Sequence, residues 1–221
     1  WYEHENVTPE MYKNAIFDSQ LRVADIGFLS NIIENHDEPR GVCRYIPDGD
    51  LNDTSKKALA AVYFFLRGIP FIYQGQEIGM ENCPFESIDQ LDDISSKDEY
   101  KVCRDAGYSE EESMKLLRVY SRENARTPVQ WSDEENAGFS THEPWMIVNP
   151  NYKEINLAKQ KDDSNSVYAF YKKMIALYKD PAYHETLAFG RFEPYMRETK
   201  NLIAYYRRGE GQTLLVLANF Q

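Results

Sequence analysis

Three consecutive polar residues, Asn35, His36 and Asp37, close an apolar run that begins at Phe28 (FLSNIIENHD). The imidazole can donate a hydrogen bond to a ligand, and the neighbouring carboxylate can accept one. Ligands of parallel sheets and barrels bind beyond the carboxyl ends of the strands, where polar side chains face the ligand. The sequence therefore predicts a site at these three residues, and the alternative is a polar turn that merely caps a strand.

The elements around this triplet alternate between helices and short strands. The pattern predicts a helix over 8–23, a strand over 28–33, a helix over 54–67 and a strand over 70–73. Thr8 and Pro9 are typical of a helix start, and Gly68 is typical of a helix stop. Because helices and strands alternate and both strands end in polar loops, we expect βα units and a parallel sheet.

A long acidic loop follows the second predicted strand, with Glu81, Glu86, Asp89, Asp92 and Asp93. Long insertions at this edge of a sheet are usually functional, although an acidic run is more often a solvated face. The loop ends in a helix over 109–120, which a Ser-Glu-Glu-Glu capping box opens. Arg122 and Arg126 then lie four residues apart, among amides and an aromatic residue.

The last third of the chain changes from helical to alternating periodicity. Apolar residues at helical spacing predict a helix over 165–179, whose stripe belongs to a core. Strands of period two are predicted over 190–195, 202–207 and 213–220. The sequence thus predicts an α/β part, residues 1–184, and the beginning of an antiparallel β domain, residues 185–221.

The composition excludes several classes of partner. Among 221 residues, 42% are apolar, which suffices for a sizeable core, and the net charge of −11 repels nucleic acid. Since no apolar run reaches the ~18 residues of a membrane span, no membrane partner is expected. The three cysteines, Cys43, Cys83 and Cys103, have spacings that fit neither zinc nor a disulfide framework. We expect free thiols, no metal and a cytoplasmic location.

Several motifs occur in an order that points to a known family. They are the run 28–37, GIPFIYQGQEIG over 68–79, SRENARTPVQW over 121–131, NAGF over 136–139 and NPNYKEIN over 149–156. Together they resemble the α-amylase family of glycoside hydrolases, and most of all its oligo-1,6-glucosidase, α-glucosidase and dextran glucosidase branch. The resemblance covers nearly the whole chain.

The resemblance implies a fold as well as a reaction. The fold is the C-terminal portion of a (β/α)8 barrel, with strands seven and eight and their helices, followed by the start of an antiparallel β domain. The reaction is hydrolysis of α-glucosidic bonds with retention, which needs two carboxylates about 5 Å apart. The partners are then α-glucosidic oligosaccharides or glucose, and no cofactor is expected.

The resemblance also assigns roles to individual residues. Asp37 matches a third carboxylate that stabilises the transition state, and His36 and Arg122 match residues that bind the sugar in the −1 subsite. Asn35 is grouped with these substrate-binding residues and is expected to orient the adjacent pair His36 and Asp37. Four further residues are expected to support the site structurally: Arg40, Tyr73, Glu77 and Arg126. Gln76 replaces a glutamate that is common in the branch.

The main departure from the family is a lack of sequence. The family's nucleophile and acid/base lie on strands four and five, which precede Trp1, so we expect the isolated chain to be inactive. The opening Trp1-Tyr-Glu-His has no initiator methionine and is not a signal peptide, as expected if the chain begins inside a longer one. A partial barrel would also expose a strand edge, so self-association is one expected outcome.

The sequence is also compatible with other functions. The chain is alternatively a non-catalytic carbohydrate-binding fragment, or an interaction protein like the family's transporter heavy chains. The parent is alternatively a sucrose isomerase or a phospho-disaccharide hydrolase. Residues near the missing nucleophile decide between these activities and between α-1,4 and α-1,6 linkages, so the sequence does not choose.

Overall fold

The structure is a computed structural model that describes residues 7–47 and 49–220. The opening Trp1–His4 lies outside these residues. In chain order the elements are α1 (Pro9–Val23), β1 (Leu29–Asn31), α2 (Gly41–Tyr45), α3 (Asp53–Phe64), β2 (Gly68–Pro70), α4 (Ile94–Asp105), α5 (Glu110–Tyr120), α6 (Leu157–Gln160), α7 (Val167–Lys179), α8 (His184–Phe189), β3 (Arg191–Tyr195), β4 (Leu202–Arg208) and β5 (Thr213–Asn219).

The chain divides into two compact units. The first, here called the site unit, contains the described residues of 34–44 and 73–163. The second, here called the sheet unit, contains those of 7–33, 45–72 and 164–220. The predicted domain boundary near residue 185 stays a prediction. In the part of the chain that the structure describes, no helix is long and apolar enough to cross a membrane.

The sheet unit contains the predicted parallel pair of strands. Leu29 pairs with Gly68 and Asn31 with Pro70, and the amide of Phe71 donates to the carbonyl of Asn31 at 3.0 Å. Gly68 has a φ of +141°, and a Cβ there would lie 2.2 Å from the Leu29 carbonyl oxygen. The close approach of the two strands therefore requires a glycine at this position.

The bounds of these strands differ from the prediction. The sequence predicts strands over 28–33 and 70–73, whereas the paired residues are 29–31 and 68–70. Apolar composition marks residues that avoid water, but pairing depends on where two backbones meet. The helix predicted over 54–67 likewise ends at Phe64, because the amide of Leu66 turns to the carbonyl of Tyr63 at 3.3 Å.

The sheet unit also contains the predicted antiparallel strands, in the order β3, β4, β5. Tyr205 on β4 is fully buried, and its hydroxyl donates to the carbonyl of Val62 on α3 at 2.7 Å. Phe17 of α1 is also fully buried and meets the Tyr205 and Phe192 rings edge to face. Helices and the sheet thus share one aromatic core in this unit.

The site unit has a smaller core and many loops. Its buried apolar cluster consists of Cys83, Phe85, Leu91, Met114 and Leu117, which come from the acidic loop and α5. The predicted capping box opens α5: the Ser109 hydroxyl accepts from the Glu112 amide, and the Glu112 carboxylate accepts from the Ser109 amide at 2.8 Å. The long loop is therefore a folded element.

Candidate active site

The polar triplet at residues 35–37 forms a tight turn in the site unit. The Asn35 side-chain oxygen accepts from the backbone amide of Asp37 at 2.7 Å. This Asx-type turn fixes the backbone on which His36 and Asp37 stand. Both side chains are open to solvent, with 70% of His36 and 54% of Asp37 exposed. The geometry gives Asn35 a bond within the turn, while its predicted role toward a ligand stays a prediction.

The two oxygens of Asp37 have different surroundings. Oδ1 accepts from Nη1 of Arg122 and from Nη2 of Arg126, each at 3.0 Å. Oδ2 lies 3.3 Å from Nε2 of His36. One oxygen is thus held by two guanidinium groups, and the other lies beside an exposed imidazole. Since the His36 imidazole and the Asp37 carboxylate are both exposed to solvent, a polar ligand can bind beside Oδ2.

Asp93 is a second carboxylate in the same cluster, and the sequence prediction missed it. Its Oδ2 accepts from Nε of Arg122 at 2.6 Å and from Nη1 of Arg126 at 2.5 Å, and its Oδ1 accepts from Nη2 of Arg122 at 3.0 Å. The side chain is only 4% exposed. Hydrogen bonding to Arg122 lowers the pKa of Asp93 to about 2. We call these four residues, Asp37, Asp93, Arg122 and Arg126, the arginine cluster.

The position of Asp93 before a helix is the signal that could have found it. Asp93 is the N-cap of α4, and its Oδ1 accepts from the Ser95 amide at 2.8 Å. Asp93 is therefore held by its own helix as well as by the arginines. Because it is buried and fully bonded, it is unsuited to be a second reacting carboxylate.

A short 3₁₀ helix, Arg122–Arg126, positions both arginines. It begins where the Ser121 hydroxyl accepts from the Glu123 amide at 3.2 Å. Glu123 is buried, and its Oε1 accepts from the amides of Asp92 at 2.7 Å and Asp93 at 3.1 Å. The 3₁₀ helix therefore binds the start of α4 in two ways: Glu123 accepts from its backbone, and the two arginines donate to the Asp93 side chain.

Arg126 has more contacts with the triplet than the sequence predicts. It is expected there to tie loops together, and its Nε does donate to the carbonyl of His36 at 2.8 Å. Its Nη2 also reaches Asp37 at the same distance as Arg122 does. Two positive groups beside Asp37 repel a metal cation, so the cluster is better suited to a ligand that carries hydroxyl groups.

A buried ion pair lies just before the triplet. The Arg40 Nη1 donates to Oε1 of Glu34 at 3.3 Å and to the carbonyl of Gln74 at 2.7 Å, and the Gly41 amide donates to Oε2 of Glu34 at 2.6 Å. Neither side chain of the pair is more than 1% exposed. Burial raises the pKa of Glu34 despite the bonds from Arg40. Glu34 escaped prediction because it follows an apolar run.

Tyr73 and Glu77 lie near this buried pair. The Tyr73 hydroxyl donates to the carbonyl of Ala125, inside the 3₁₀ helix that carries both arginines, at 3.1 Å. The Arg40 guanidinium lies 5.6 Å from the centre of the Tyr73 ring. Glu77 is half-buried, and its charge contributes to the raised pKa of Glu34. The Gln76 side chain accepts from the Tyr73 amide at 3.0 Å. These contacts connect Tyr73 to the 3₁₀ helix and to Arg40, and the predicted supporting roles of Tyr73 and Glu77 stay predictions.

The sequence of this chain is similar to that of a known enzyme family. Residues 2–186 match the family model described as the α-amylase catalytic domain. The probable oligo-1,6-glucosidase 3 of Bacillus subtilis (strain 168) is 40% identical over 216 residues, which cover 98% of this chain and 38% of that protein. The chain therefore spans little more than a third of this relative.

Solved structures of related enzymes share the fold. The trehalose-6-phosphate hydrolase of Bacillus licheniformis is 38% identical, with a TM-score of 0.88 and coverage of 96% of this chain and 38% of that one. The trehalulose synthase MutB of Pseudomonas mesoacidophila MX-45 is 37% identical, with a TM-score of 0.89 and coverage of 97% and 38%. By the family match and by these relatives, the chain belongs to the α-amylase family of glycoside hydrolases.

Proposed function

We propose that this chain supplies part of the −1 subsite of a retaining α-glucosidase, with Asp37 as the carboxylate that stabilises the transition state. The observation that carries the proposal is that the two oxygens of Asp37 have different neighbours. Two arginines donate to Oδ1 at 3.0 Å each, and Oδ2 lies beside the exposed His36. In this proposal β1 and β2 are strands seven and eight of a (β/α)8 barrel, and a longer polypeptide contributes the other strands.

The geometry suits a positively charged transition state. Cleavage of a glycosidic bond passes through an oxocarbenium-like state, which a fixed carboxylate stabilises. His36 and Arg122 would bind sugar hydroxyls on either side of Asp37, because an imidazole and a guanidinium both donate hydrogen bonds. The attacking carboxylate and the acid/base would come from other strands of the barrel, so the isolated chain would not turn over substrate.

The names of the relatives support a substrate class for this proposal. The B. subtilis relative is named as a probable oligo-1,6-glucosidase, which supports short α-glucosidic oligosaccharides as substrates. A phosphorylated disaccharide and sucrose, which the names and titles of other relatives mention, are the competing substrates. A panel of isomaltose, maltose, trehalose 6-phosphate and sucrose distinguishes these activities.

The test joins this chain to the preceding part of the B. subtilis relative, in place of that relative's own matching segment. We expect this chimera to hydrolyse p-nitrophenyl α-glucoside and the isolated chain to leave it intact. Asp37→Asn should lower kcat/KM of the chimera by about 10³-fold, since a charge that stabilises the transition state is lost. The control is Asp105→Asn, which removes an exposed carboxylate paired with Lys101 and should change kcat/KM less than about twofold.

Two results would contradict the proposal. One is full activity of the Asp37→Asn chimera, which would show that Asp37 has no part in the reaction. The other is hydrolysis by the isolated chain that Asp37→Asn abolishes, since the reacting carboxylates would then lie within these 221 residues.

A further inference from the structure

We propose that Asp93 is a positioning residue that holds Arg122 and Arg126 against Oδ1 of Asp37, so that Oδ2 stays turned toward the ligand. This inference rests on the function proposed for Asp37. It assigns a role to the acidic loop, whose carboxylates would otherwise be read as a solvated face. The role depends on three features of the arginine cluster: how the guanidinium groups bridge, which end is fixed, and how the charges balance.

Each guanidinium in the cluster bridges two carboxylates. Arg122 uses Nε and Nη2 on Asp93 and keeps Nη1 for Asp37. Arg126 uses Nη1 on Asp93, Nη2 on Asp37 and Nε on the carbonyl of His36. A guanidinium is a rigid planar fork, so fixing two of its nitrogens fixes the direction of the third. Asp93 thereby sets where both donors meet Asp37.

Asp93 is the fixed end of the cluster. It is 4% exposed, against 54% for Asp37, so water competes far less for its bonds. The Ser95 amide bonds its side chain, and Glu123 bonds its backbone amide at 3.1 Å. Asp37, in contrast, stands on an exposed turn. We therefore infer that Asp93 fixes the positions of the two arginines, and that the arginines in turn fix the carboxylate of Asp37.

The charges of the cluster balance only with Asp93 present. Two guanidinium groups share one oxygen of Asp37 at 3.0 Å each, and their mutual repulsion is offset by the carboxylate of Asp93. Without that charge we expect at least one arginine to leave Asp37. The carboxylate of Asp37 would then rotate, and a small displacement of a stabilising charge costs up to about 100-fold in rate.

The first test measures the cluster itself, without substrate, on the whole 221-residue chain. Nitrogen-15 NMR reports how well the Nε–H protons of Arg122 and Arg126 are protected from exchange with water. Asp93→Asn keeps a helix cap at this position, because asparagine caps as well as aspartate does. We expect this variant to lose protection of both signals, including that of Arg126, whose Nε bonds His36. The control Asp92→Asn should keep both signals, since Asp92 is 78% exposed and its side chain pairs with Lys97.

The second test measures the reaction in the chimera described above. Asp93→Asn should lower kcat/KM by 10- to 100-fold, mainly through kcat, while Asp92→Asn stays within about twofold. Unchanged protection of both arginines in Asp93→Asn overturns the inference, and so does lost protection with unchanged kcat/KM. If the chimera is inactive even with Asp93 intact, the proposed function fails, and the NMR result still decides whether Asp93 holds the arginines.

Discussion

Glu34 and Asp37 are three residues apart in the chain, and each is paired with arginine, but the two assemblies differ in their exposure to solvent. Glu34 and Arg40 form a sealed pair, with no more than 1% of either side chain exposed. Asp37 belongs to the arginine cluster, which is open to solvent on one side. The same two kinds of side chain thus form a sealed structural pair in one place and, in our proposal, part of a ligand site in the other.

The two assemblies also contain carboxylates whose pKa values shift in opposite directions, Glu34 in the sealed pair and Asp93 in the arginine cluster. Burial raises the pKa of Glu34, because desolvation outweighs the interactions with Arg40 and with the Gly41 amide. Hydrogen bonds from Arg122 lower the pKa of Asp93 to about 2, because two arginines and an amide compensate for its burial. Desolvation is the largest influence on the pKa of Glu34, and hydrogen bonding to Arg122 is the largest influence on that of Asp93, so the balance between the two decides the direction of each shift.

The sealed pair should be the more costly one to break. Arg40→Met keeps the length of the side chain but leaves Glu34 buried without its cation, and we expect a loss of about 3–5 kcal/mol in the free energy of unfolding. Urea unfolding followed by circular dichroism measures the loss. Arg44→Met is the matched control, since Arg44 pairs with Glu38 at the surface and should cost less than about 1 kcal/mol. Equal losses in the two variants would show that the sealed pair is no more important than a surface pair.

Acid should weaken the cluster through Asp93. Its pKa is lower in the folded chain than the ordinary value of 3.8, so its stabilisation is complete above about pH 5 and is lost progressively as the pH falls through about 2. The shift corresponds to about 2 kcal/mol in the free energy of unfolding. Urea unfolding of wild type and Asp93→Asn between pH 2 and 6 tests this, because the variant lacks that part of the acid dependence. If the free energy of unfolding falls equally with acid in wild type and in Asp93→Asn, Asp93 makes no such contribution. The control Asp92→Asn should show the same pH dependence as the wild type.

The open end of the cluster should matter least for stability. Asp37→Asn removes a 54% exposed carboxylate, and we expect a change below about 1 kcal/mol in the free energy of unfolding, although the chimera loses activity. The same urea unfolding experiment measures it. If Asp37→Asn lowers the free energy of unfolding as much as Arg40→Met does, Asp37 is as important for stability as the sealed pair, and the two assemblies do not differ in this respect.

Local signals in the sequence predicted most of the elements. The helix from Thr8, the capping box at Ser109 and the period-two strands of residues 191–219 all depend on neighbouring residues, and the structure confirms them. The strand bounds near Gly68 were displaced because pairing depends on a partner some 40 residues away. Local propensity contains no information on such a register.

The candidate site was predictable only in its exposed half. The triplet at 35–37 stands out because polar residues end an apolar run, and the resemblance added Arg122. Asp93 did not stand out, because its two arginine partners lie 29 and 33 residues further along the chain. Glu34 was hidden by the apolar residues before it. For Asp93 the missing information was a long-range ion pair, whereas Glu34 lies only six residues before its partner Arg40, and what the sequence did not reveal is that this pair is buried.

The N-cap role of Asp93 links the local stability of a helix to the geometry of the site. A single carboxylate oxygen accepts from the Ser95 amide of the first turn of α4 and from Arg122. When that turn frays, Asp93 moves, and we expect its hydrogen bonds to the two arginines to break at the same time. Hydrogen exchange at the Ser95 amide therefore reports how often the cluster opens, and a substitution on α4 that never touches the site can alter that frequency.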